Sequence, residues 1–412
     1  MSPSSEPNPL LSMSSMNPLL TRSPAEWQAQ GGLATAEEIA QQPALWRELA
    51  QSFSAAQQAA LDAFLSQWLS DPNHLVILTG AGSSAFCGEA VVDEINRLWP
   101  AQVRAVPTTS LISHPALYLR RQQPTLLVSF ARSGNSPESL AAVDLLRQLV
   151  DAPRFLNITC NADGALHLRN EAQPDSFNLL MPARSCDRGF AMTSSFSCMQ
   201  LAALLAFACD AWSARLARVE ALAAQAEQLL RVWAAPLAAL AQAPFARVVY
   251  LGSGPLEALA KEAALKVLEL TCGRVLAFAN TCLGFRHGPK SILNENSLVI
   301  VFPSSDPHVR RFDADLLAEL QREGVAGRVL QVGPDDASAV APSEGSLLCA
   351  LGAELATAGD CWLAPLWLLA AQQYALQRSA ALGLTPDNPF PDGTVNRVVQ
   401  GVTVHAYVEA KG

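Results

Sequence analysis

Residues 129–139, SFARSGNSPES, form a hydroxyl-rich turn that could bind a small anion. An apolar run precedes this turn and an amphipathic run follows it, a pattern that predicts a strand, a loop and a helix. A helix that begins there presents unpaired backbone N–H groups and a partial positive charge to the loop. Arg132, Ser133 and Ser136 would add side-chain donors. The turn therefore predicts a phosphate site and a phosphorylated small molecule as its ligand.

Residues 136–138, SPE, also have the sequence of a helix start, with a serine cap, a proline and an acid in the first turn. Capping alone would explain that serine, but it does not explain Arg132 and Ser133 beside it. It also leaves Ser83 and Ser84, at the end of a neighbouring predicted strand, without a role. Open α/β sheets bind ligands at the carboxyl ends of strands, where such turns converge. Together these residues favour phosphate binding.

A second candidate site lies on the helix predicted after Gly254. Its charged positions include Lys261, Glu262, Lys266 and Glu269. Lys266 and Glu269 are three residues apart and share one face, a spacing that most often means an exposed ion pair. Here the flanking residues are apolar, so the helix is expected to be mostly buried. Burial raises the pKa of a carboxyl toward that of a working base.

His287 lies in the segment 286–290, RHGPK, on a Gly/Pro loop ahead of the next predicted strand. A lone histidine is most often structural. This one stands among helix breakers rather than on an apolar face, which favours an exposed, functional side chain. Histidine exchanges protons near neutral pH, so His287 is a candidate acid or base.

The 412 residues are too many for one ordinary core, so two domains are expected. The net charge of -9 argues against nucleic-acid and anionic-membrane partners, although a local pocket can still be positive. The nine cysteines show neither a Cys-x-x-Cys pair nor Cys/His ligand spacing, so no metal site is predicted. Reduced thiols in a cytoplasmic protein are the expectation.

No apolar run reaches the length of a membrane span, and the most apolar one, 199–208, predicts a buried helix. The first residues are rich in Ser, Pro and Asn and lack a basic start, which predicts a disordered or extended leader at 1–34. A helical segment is predicted at 35–69.

The chain repeats one order of elements. Strands ending in turns are predicted at 74–79, 125–128 and 154–159, and again in the second half at 247–251, 297–302 and 328–332. Chance alignment of generic βα units is the alternative. It is weakened by the repeated order and by Gly-x-Gly turns after the first strand of each half. We therefore predict two related α/β domains at 70–215 and 245–385, a helical linker at 216–244 and a tail at 386–412.

Neither Gly-x-Gly turn is a dinucleotide fingerprint, because each lacks the glycine three positions on. No Walker-type Gly-Lys-Ser/Thr segment occurs either. A nicotinamide or nucleotide cofactor is therefore not expected.

These residues resemble the sugar isomerase (SIS) domain family, with two domains in tandem as in the isomerase half of glucosamine-6-phosphate synthase. The likeness covers about 51–404 and is most specific at 129–139, 257–269 and 284–289. The tail from 388 to 403 is similar to the galactosamine-6-phosphate deaminase/isomerase branch, also called tagatose-6-phosphate ketose/aldose isomerase. The resemblance implies a doubly wound, flavodoxin-like three-layer sandwich for each domain.

The resemblance also implies substrate-binding residues. Ser84, Ser133 and Ser136 match the sugar-phosphate hydroxyls of the family, and Arg132 stands where the synthase has Gln. Thr193 falls where another ligand-contacting hydroxyl is expected.

The roles implied for the second half are catalytic. Glu269 matches the residue that moves a proton between carbons 1 and 2, and Lys266 matches a lysine that lines the site. His287 matches the ring-opening histidine, which in the synthase reaches the site from the partner subunit. Gln400 replaces a tail lysine of the synthase, so synthase-like use of ammonia is not expected.

The predicted reaction is deaminating isomerisation of an aminohexose 6-phosphate, in amino-sugar catabolism, by a homodimer or larger homo-oligomer. Proton transfers need neither a redox cofactor nor a metal. Two alternatives are open: aldose–ketose isomerisation of a neutral hexose 6-phosphate, and a non-catalytic sugar-phosphate sensor. A sensor would need neither Glu269 nor His287.

Overall fold

The computed structural model describes residues 18–335, 341–399 and 401–408. The strands are β1 (Leu75–Thr79), β2 (Gln102–Ala105), β3 (Thr125–Ala131), β4 (Pro153–Thr159), β5 (Ser176–Leu180), β6 (Arg247–Gly252), β7 (Leu276–Asn280), β8 (Ser297–Phe302), β9 (Arg328–Pro334) and β10 (Leu347–Cys349). The helices are α1 (Pro24–Gln30), α2 (Leu33–Ala40), α3 (Gln42–Ser52), α4 (Ala55–Leu69), α5 (Ser83–Leu98), α6 (Thr108–Ser113), α7 (Pro137–Leu149), α8 (Ala165–Asn170), α9 (Ser194–Phe207), α10 (Trp212–Gln242), α11 (Pro255–Leu270), α12 (Cys282–Phe285), α13 (Pro307–Glu323), α14 (Ala353–Ala356) and α15 (Asp360–Ala381). Short 3₁₀ turns lie at Pro115–Leu117, Ala183–Ser185 and Pro289–Ile292.

Both sheets are parallel and share one topology. The first has the order β2-β1-β3-β4-β5 and the second the order β10-β9-β8-β6-β7. Read from β7 and numbered from its own first strand, the second sheet also has the order 2-1-3-4-5. This is the flavodoxin-like arrangement, and it places the turns after the first and third strands next to each other. The predicted pair of doubly wound α/β domains is confirmed.

One core joins the two sheets. The inner faces contribute Leu78 and Val128 from the first sheet and Tyr250 and Phe302 from the second, with the long helices between them. Separate apolar clusters cover the two outer faces. Helix α5 of the first domain packs against α11 of the second, so residues on these helices can form one site.

The N-terminal prediction is wrong over Pro24–Gln30, which is helical rather than extended. Ser23 and Glu26 form a reciprocal capping box there, with proline at the start of the helix, and this local pairing stabilises a short helix. Residues 1–17 of the predicted leader lie outside the described residues. The buried helix predicted at 199–208 is confirmed, since every residue of α9 is buried. No helix in the described part of the chain is long and apolar enough to cross a membrane.

Candidate active site

Lys266 is the centre of a buried polar cluster where the two domains meet. Its ammonium lies 2.7 Å from the carboxylate of Glu269 and 3.1 Å from that of Glu262. Spacings of three and four residues bring both acids to the face of Lys266 on α11. The same ammonium donates a 2.9 Å hydrogen bond to Ser83 Oγ, at the start of α5. The structure thus brings together the predicted Lys266 and Glu269, and adds the first-domain Ser83 to them.

Glu262, to which the sequence pattern assigns no role, is also a member of this cluster. Its side chain is completely buried, and burial raises the pKa of its carboxyl to about 7 against the opposing effects of Lys266 and Ser83. Burial lowers the pKa of the Lys266 ammonium, but the charges of Glu262 and Glu269 outweigh it and leave that pKa above its ordinary value. Lys266 is therefore a cation, and Glu269, 22% exposed, is the acid of the cluster that solvent or a substrate can reach.

The turn between β3 and α7 holds the predicted phosphate residues. Ser136 Oγ accepts from the Ser139 backbone N–H at 3.4 Å and donates to Ser139 Oγ at 2.7 Å, so it caps α7. Ser133 Oγ accepts from the Asn135 N–H at 3.3 Å. Gly134 has φ +64°, a left-handed conformation that favours glycine and lets the chain reverse there. Substrate binding by these serines stays a prediction.

Arg132 is buried at the start of the same turn. Its guanidinium donates to the carbonyl of Phe190 at 3.1 Å and to the carbonyl of Arg397 at 2.8 Å. Burial and then the positive charge of Arg397 lower the pKa of Arg132, whereas the acids Asp187 and Glu269 are near enough to raise it. The proposed phosphate turn of the first domain and the proposed base of the second therefore lie within electrostatic reach of each other.

Asp187, which sequence reasoning missed, holds the third loop of the site. Its carboxylate accepts from the backbone N–H groups of Thr193, Ser194 and Ser195 and from the hydroxyls of Thr193 and Ser195, which caps α9. The Thr193 hydroxyl proton is thus directed at Asp187. Ser84 Oγ lies 3.9 Å from the sulfur of Met192, the residue before Thr193, so Ser84 lies against the loop that carries Thr193. No local pattern marks Asp187, because its partners follow it across a glycine-containing loop.

His287 is exposed on the loop between α12 and the next 3₁₀ turn. No hydrogen bond or ion pair joins its ring to a described residue, and none joins it to Glu269. Phe285, two residues before it, packs in the outer core of the second sheet, whereas α11 packs in the inner core. Within the described part of one chain, His287 therefore makes no polar contact with the Lys266 cluster.

The corresponding edge of the second sheet is filled by the protein's own carboxylates. Asp306 caps α13 as Ser136 caps α7, accepting from the N–H groups of His308 and Val309 at 2.7 and 3.1 Å. Asp360 accepts from the Ser305 N–H at 2.6 Å. Carboxylates on these donors would repel a phosphate. The two domains share a fold, but the helix after β8 is capped by a carboxylate where the helix after β3 is capped by a serine.

The C-terminal tail crosses the first-domain side of the site. Asp387 accepts from the N–H groups of Ala34 and Thr35 at 3.0 and 2.8 Å, and the ring of Phe390 lies 5.3 Å from that of Phe190. Arg397 follows, with its backbone carbonyl on Arg132. That the tail covers the site stays a prediction, and Gln400 lies outside the described residues.

No cluster of three or more His, Cys, Asp or Glu side chains suited to a metal ion occurs among the described residues.

Comparisons with known proteins give close relatives over most of the chain, although no protein-family model matches it. A Streptomyces coelicolor protein, provisionally named D-galactosamine-6-phosphate deaminase AgaS, is 49% identical over 374 residues, which cover 90% of this chain and 95% of the relative. The D-galactosamine-6-phosphate deaminase AgaS of Shewanella sp. ANA-3 is 43% identical over 382 residues, 92% of this chain and 93% of the relative. The crystal structure of tagatose-6-phosphate ketose/aldose isomerase from Escherichia coli matches with a TM-score of 0.82 at 39% identity, covering 91% of this chain and 97% of that one.

Proposed function

The chain belongs to the AgaS family of tandem sugar isomerase (SIS) domain proteins, and from that premise we propose that it converts D-galactosamine 6-phosphate and water into D-tagatose 6-phosphate and ammonia. The observation that carries the proposal is the reachable carboxylate of Glu269, held at 2.7 Å by a buried ammonium and within electrostatic reach of Arg132. This geometry suits a base that acts on a sugar whose phosphate is bound by the first domain.

In the proposed mechanism, Ser84, Ser133 and Ser136 hold the phosphate with backbone N–H groups of the α7 start. His287 opens the sugar ring by moving a proton from the anomeric hydroxyl to the ring oxygen. Because its exposed ring makes no polar contact with the Lys266 cluster of its own chain, His287 would serve the site of a partner subunit. A homodimer or larger homo-oligomer is part of this proposal.

Glu269 then takes the proton from carbon 2 of the open-chain amino aldehyde, which gives an enolamine. Return of that proton to carbon 1 gives an imine at carbon 2. Water adds to the imine, the carbon–nitrogen bond breaks, and ammonia leaves with a ketone at carbon 2. Lys266, 2.7 Å from the Glu269 carboxylate, would hold that side chain in place while it takes the proton from carbon 2 and returns it to carbon 1.

Aldose–ketose isomerisation of a neutral hexose 6-phosphate is the second candidate. The same base and ring-opening acid would serve it, and the name of the E. coli structural relative favours it. A non-catalytic sugar-phosphate sensor is a weaker alternative, because the paired Lys266 and Glu269 have no use in simple binding.

The test is a panel of galactosamine 6-phosphate, glucosamine 6-phosphate, N-acetylgalactosamine 6-phosphate and tagatose 6-phosphate, assayed for ammonia and for ketose. The proposal expects ammonia and tagatose 6-phosphate in equal amounts from galactosamine 6-phosphate. If the protein interconverts neutral sugar phosphates and releases no ammonia from any amino sugar, the deaminase proposal is wrong and the isomerase is the better assignment. Tight binding without turnover would favour the sensor. We also propose a cytoplasmic role in amino-sugar catabolism.

A further inference from the structure

Two guanidinium groups meet at the carboxyl end of β3, and both are bound only to neutral partners. Arg132 donates to the carbonyls of Phe190 and Arg397 at 3.1 and 2.8 Å. The guanidinium of Arg397 in turn donates to the backbone carbonyl of Asp187. Neither arginine forms an ion pair with a residue in the described ranges. A guanidinium has more N–H donors than these carbonyls use, so donors remain for a ligand.

The acids nearest to this pair are already committed elsewhere. The carboxylate of Asp187 accepts from the N–H groups and hydroxyls at the start of α9, and Glu269 is paired with Lys266. Arg132 is buried, whereas Arg397 is exposed. Burial of Arg132 and the nearby positive charge of Arg397 both disfavour the charged guanidinium of Arg132, and an anion bound between the two would offset both effects.

The tail brings Arg397 to this place between two anchored flanks. Upstream, the ring of Phe390 packs on Phe190, and downstream, Gln148 of α7 donates to the carbonyl of Tyr407 at 3.2 Å. Arg132, its partner, opens the turn that contains Ser133 and Ser136. Arg132 thus links Arg397 to the turn where the sugar phosphate is proposed to bind.

We propose that Arg397 binds the phosphate group of the substrate together with Arg132, so that the C-terminal tail supplies one of the two guanidinium groups that bind the phosphate. This inference rests on the proposed function, because that function identifies the phosphate as part of a sugar phosphate substrate. Arginine is suited to this role because its planar fork matches phosphate oxygens with two parallel hydrogen bonds.

Calorimetric titration with tagatose 6-phosphate tests the inference. We expect Arg397→Ala to raise the Kd about 10- to 100-fold, the range for loss of a charged hydrogen bond. Arg397→Lys should lose less, because it keeps the charge without the fork. Asn396→Ala is the matched control, since that side chain only donates to the Gly393 carbonyl within the tail. The same loss should be absent for unphosphorylated tagatose.

The outcomes separate the two claims. If wild type releases ammonia but Arg397→Ala changes Kd less than about twofold, the arginine role is wrong and the proposed function stands. If Arg397→Ala weakens tagatose 6-phosphate binding but wild type deaminates no amino sugar, phosphate binding by Arg397 stands and the deaminase proposal fails. An equal loss with Asn396→Ala would also overturn the inference, because it would mean that tail packing, not Arg397, is responsible.

Discussion

The ammonium of Lys266, in the second domain, donates a 2.9 Å hydrogen bond to the hydroxyl of Ser83, in the first. Lys266 also holds Glu269 at 2.7 Å. The position of the proposed base relative to the proposed phosphate turn therefore depends on a contact between domains. The Ser83 hydroxyl accepts from this buried lysine, and substrate binding by Ser83 stays a prediction.

Replacing Ser83 by alanine should lower both stability and turnover. The buried ammonium loses one of its partners, which costs about 1–3 kcal/mol of the free energy of unfolding. Denaturant titration measures this loss, and kcat for ammonia release should fall with it. Ser84→Ala is the control, because among the described residues the Ser84 hydroxyl is paired with a methionine sulfur at 3.9 Å, a weak contact, and its loss should change KM rather than stability. A higher KM for Ser83→Ala at unchanged stability and kcat would contradict this structural role and favour substrate binding by Ser83.

Ser136→Ala and Asp306→Ala form a matched pair, since each residue caps the helix after the third strand of its own sheet. Both changes should cost about 1 kcal/mol of stability as lost caps. Only Ser136→Ala should raise KM for galactosamine 6-phosphate, because the second-domain edge is filled with carboxylates. Steady-state kinetics with thermal unfolding of both variants decides this. Equal KM values for the two would contradict a phosphate site at Ser136.

Glu262 should make the protein less stable as pH rises from about 4.5 to about 7. Burial raises the pKa of its carboxyl from 4.5 to about 7 in the folded chain, so the unfolded chain releases this proton first. The folded state then binds more protons across that window, and linkage lowers the free energy of unfolding by about 3 kcal/mol before it levels off.

Glu262→Gln should remove this pH dependence. The free energy of unfolding of the variant, minus that of wild type, should increase between about pH 5 and about pH 7.5 in denaturant titrations. Glu257→Gln, on the same helix but partly exposed and paired with Lys261, is the control and should follow wild type. Parallel curves for wild type and Glu262→Gln would show that Glu262 keeps an ordinary pKa.

Subunit mixing tests the place of His287. Glu269→Gln and His287→Asn should each be nearly inactive alone. If His287 acts in the site of a partner, a mixed dimer has one intact site, and random exchange restores about a quarter of the wild-type sites. Activity assays after co-refolding measure this. No recovery, with exchange verified by two different affinity tags, would place His287 and Glu269 in a site formed by one chain.

The buried centre of each sheet could be predicted from sequence, and its edges could not. Strands β1, β3, β4, β6, β8 and β9 were all predicted, because parallel strands covered on both faces give continuous apolar runs. The edge strands β2, β5, β7 and β10 are short and partly exposed, so their residues show no such run.

The site followed the same rule of locality. Spacing predicts proximity for residues within one helix or turn. This applies to Lys266 and Glu269 on α11, and to Arg132, Ser133 and Ser136 in the turn after β3. Arg132 contacts Cys186 and Arg397, which lie 54 and 265 residues away in the sequence. Asp187 follows Cys186 and comes from the same distant loop. Only tertiary structure reveals such neighbours.

The most direct test of the account is ammonia release from galactosamine 6-phosphate by wild type and Glu269→Gln, measured side by side with tagatose 6-phosphate formation. The account predicts that wild type forms both products in equal amounts. The variant should turn over about 10²- to 10⁴-fold more slowly with little change in KM, because it keeps the shape of the site and loses the base. Near-normal ammonia release by Glu269→Gln would contradict the account, because another group would then move the proton at carbon 2.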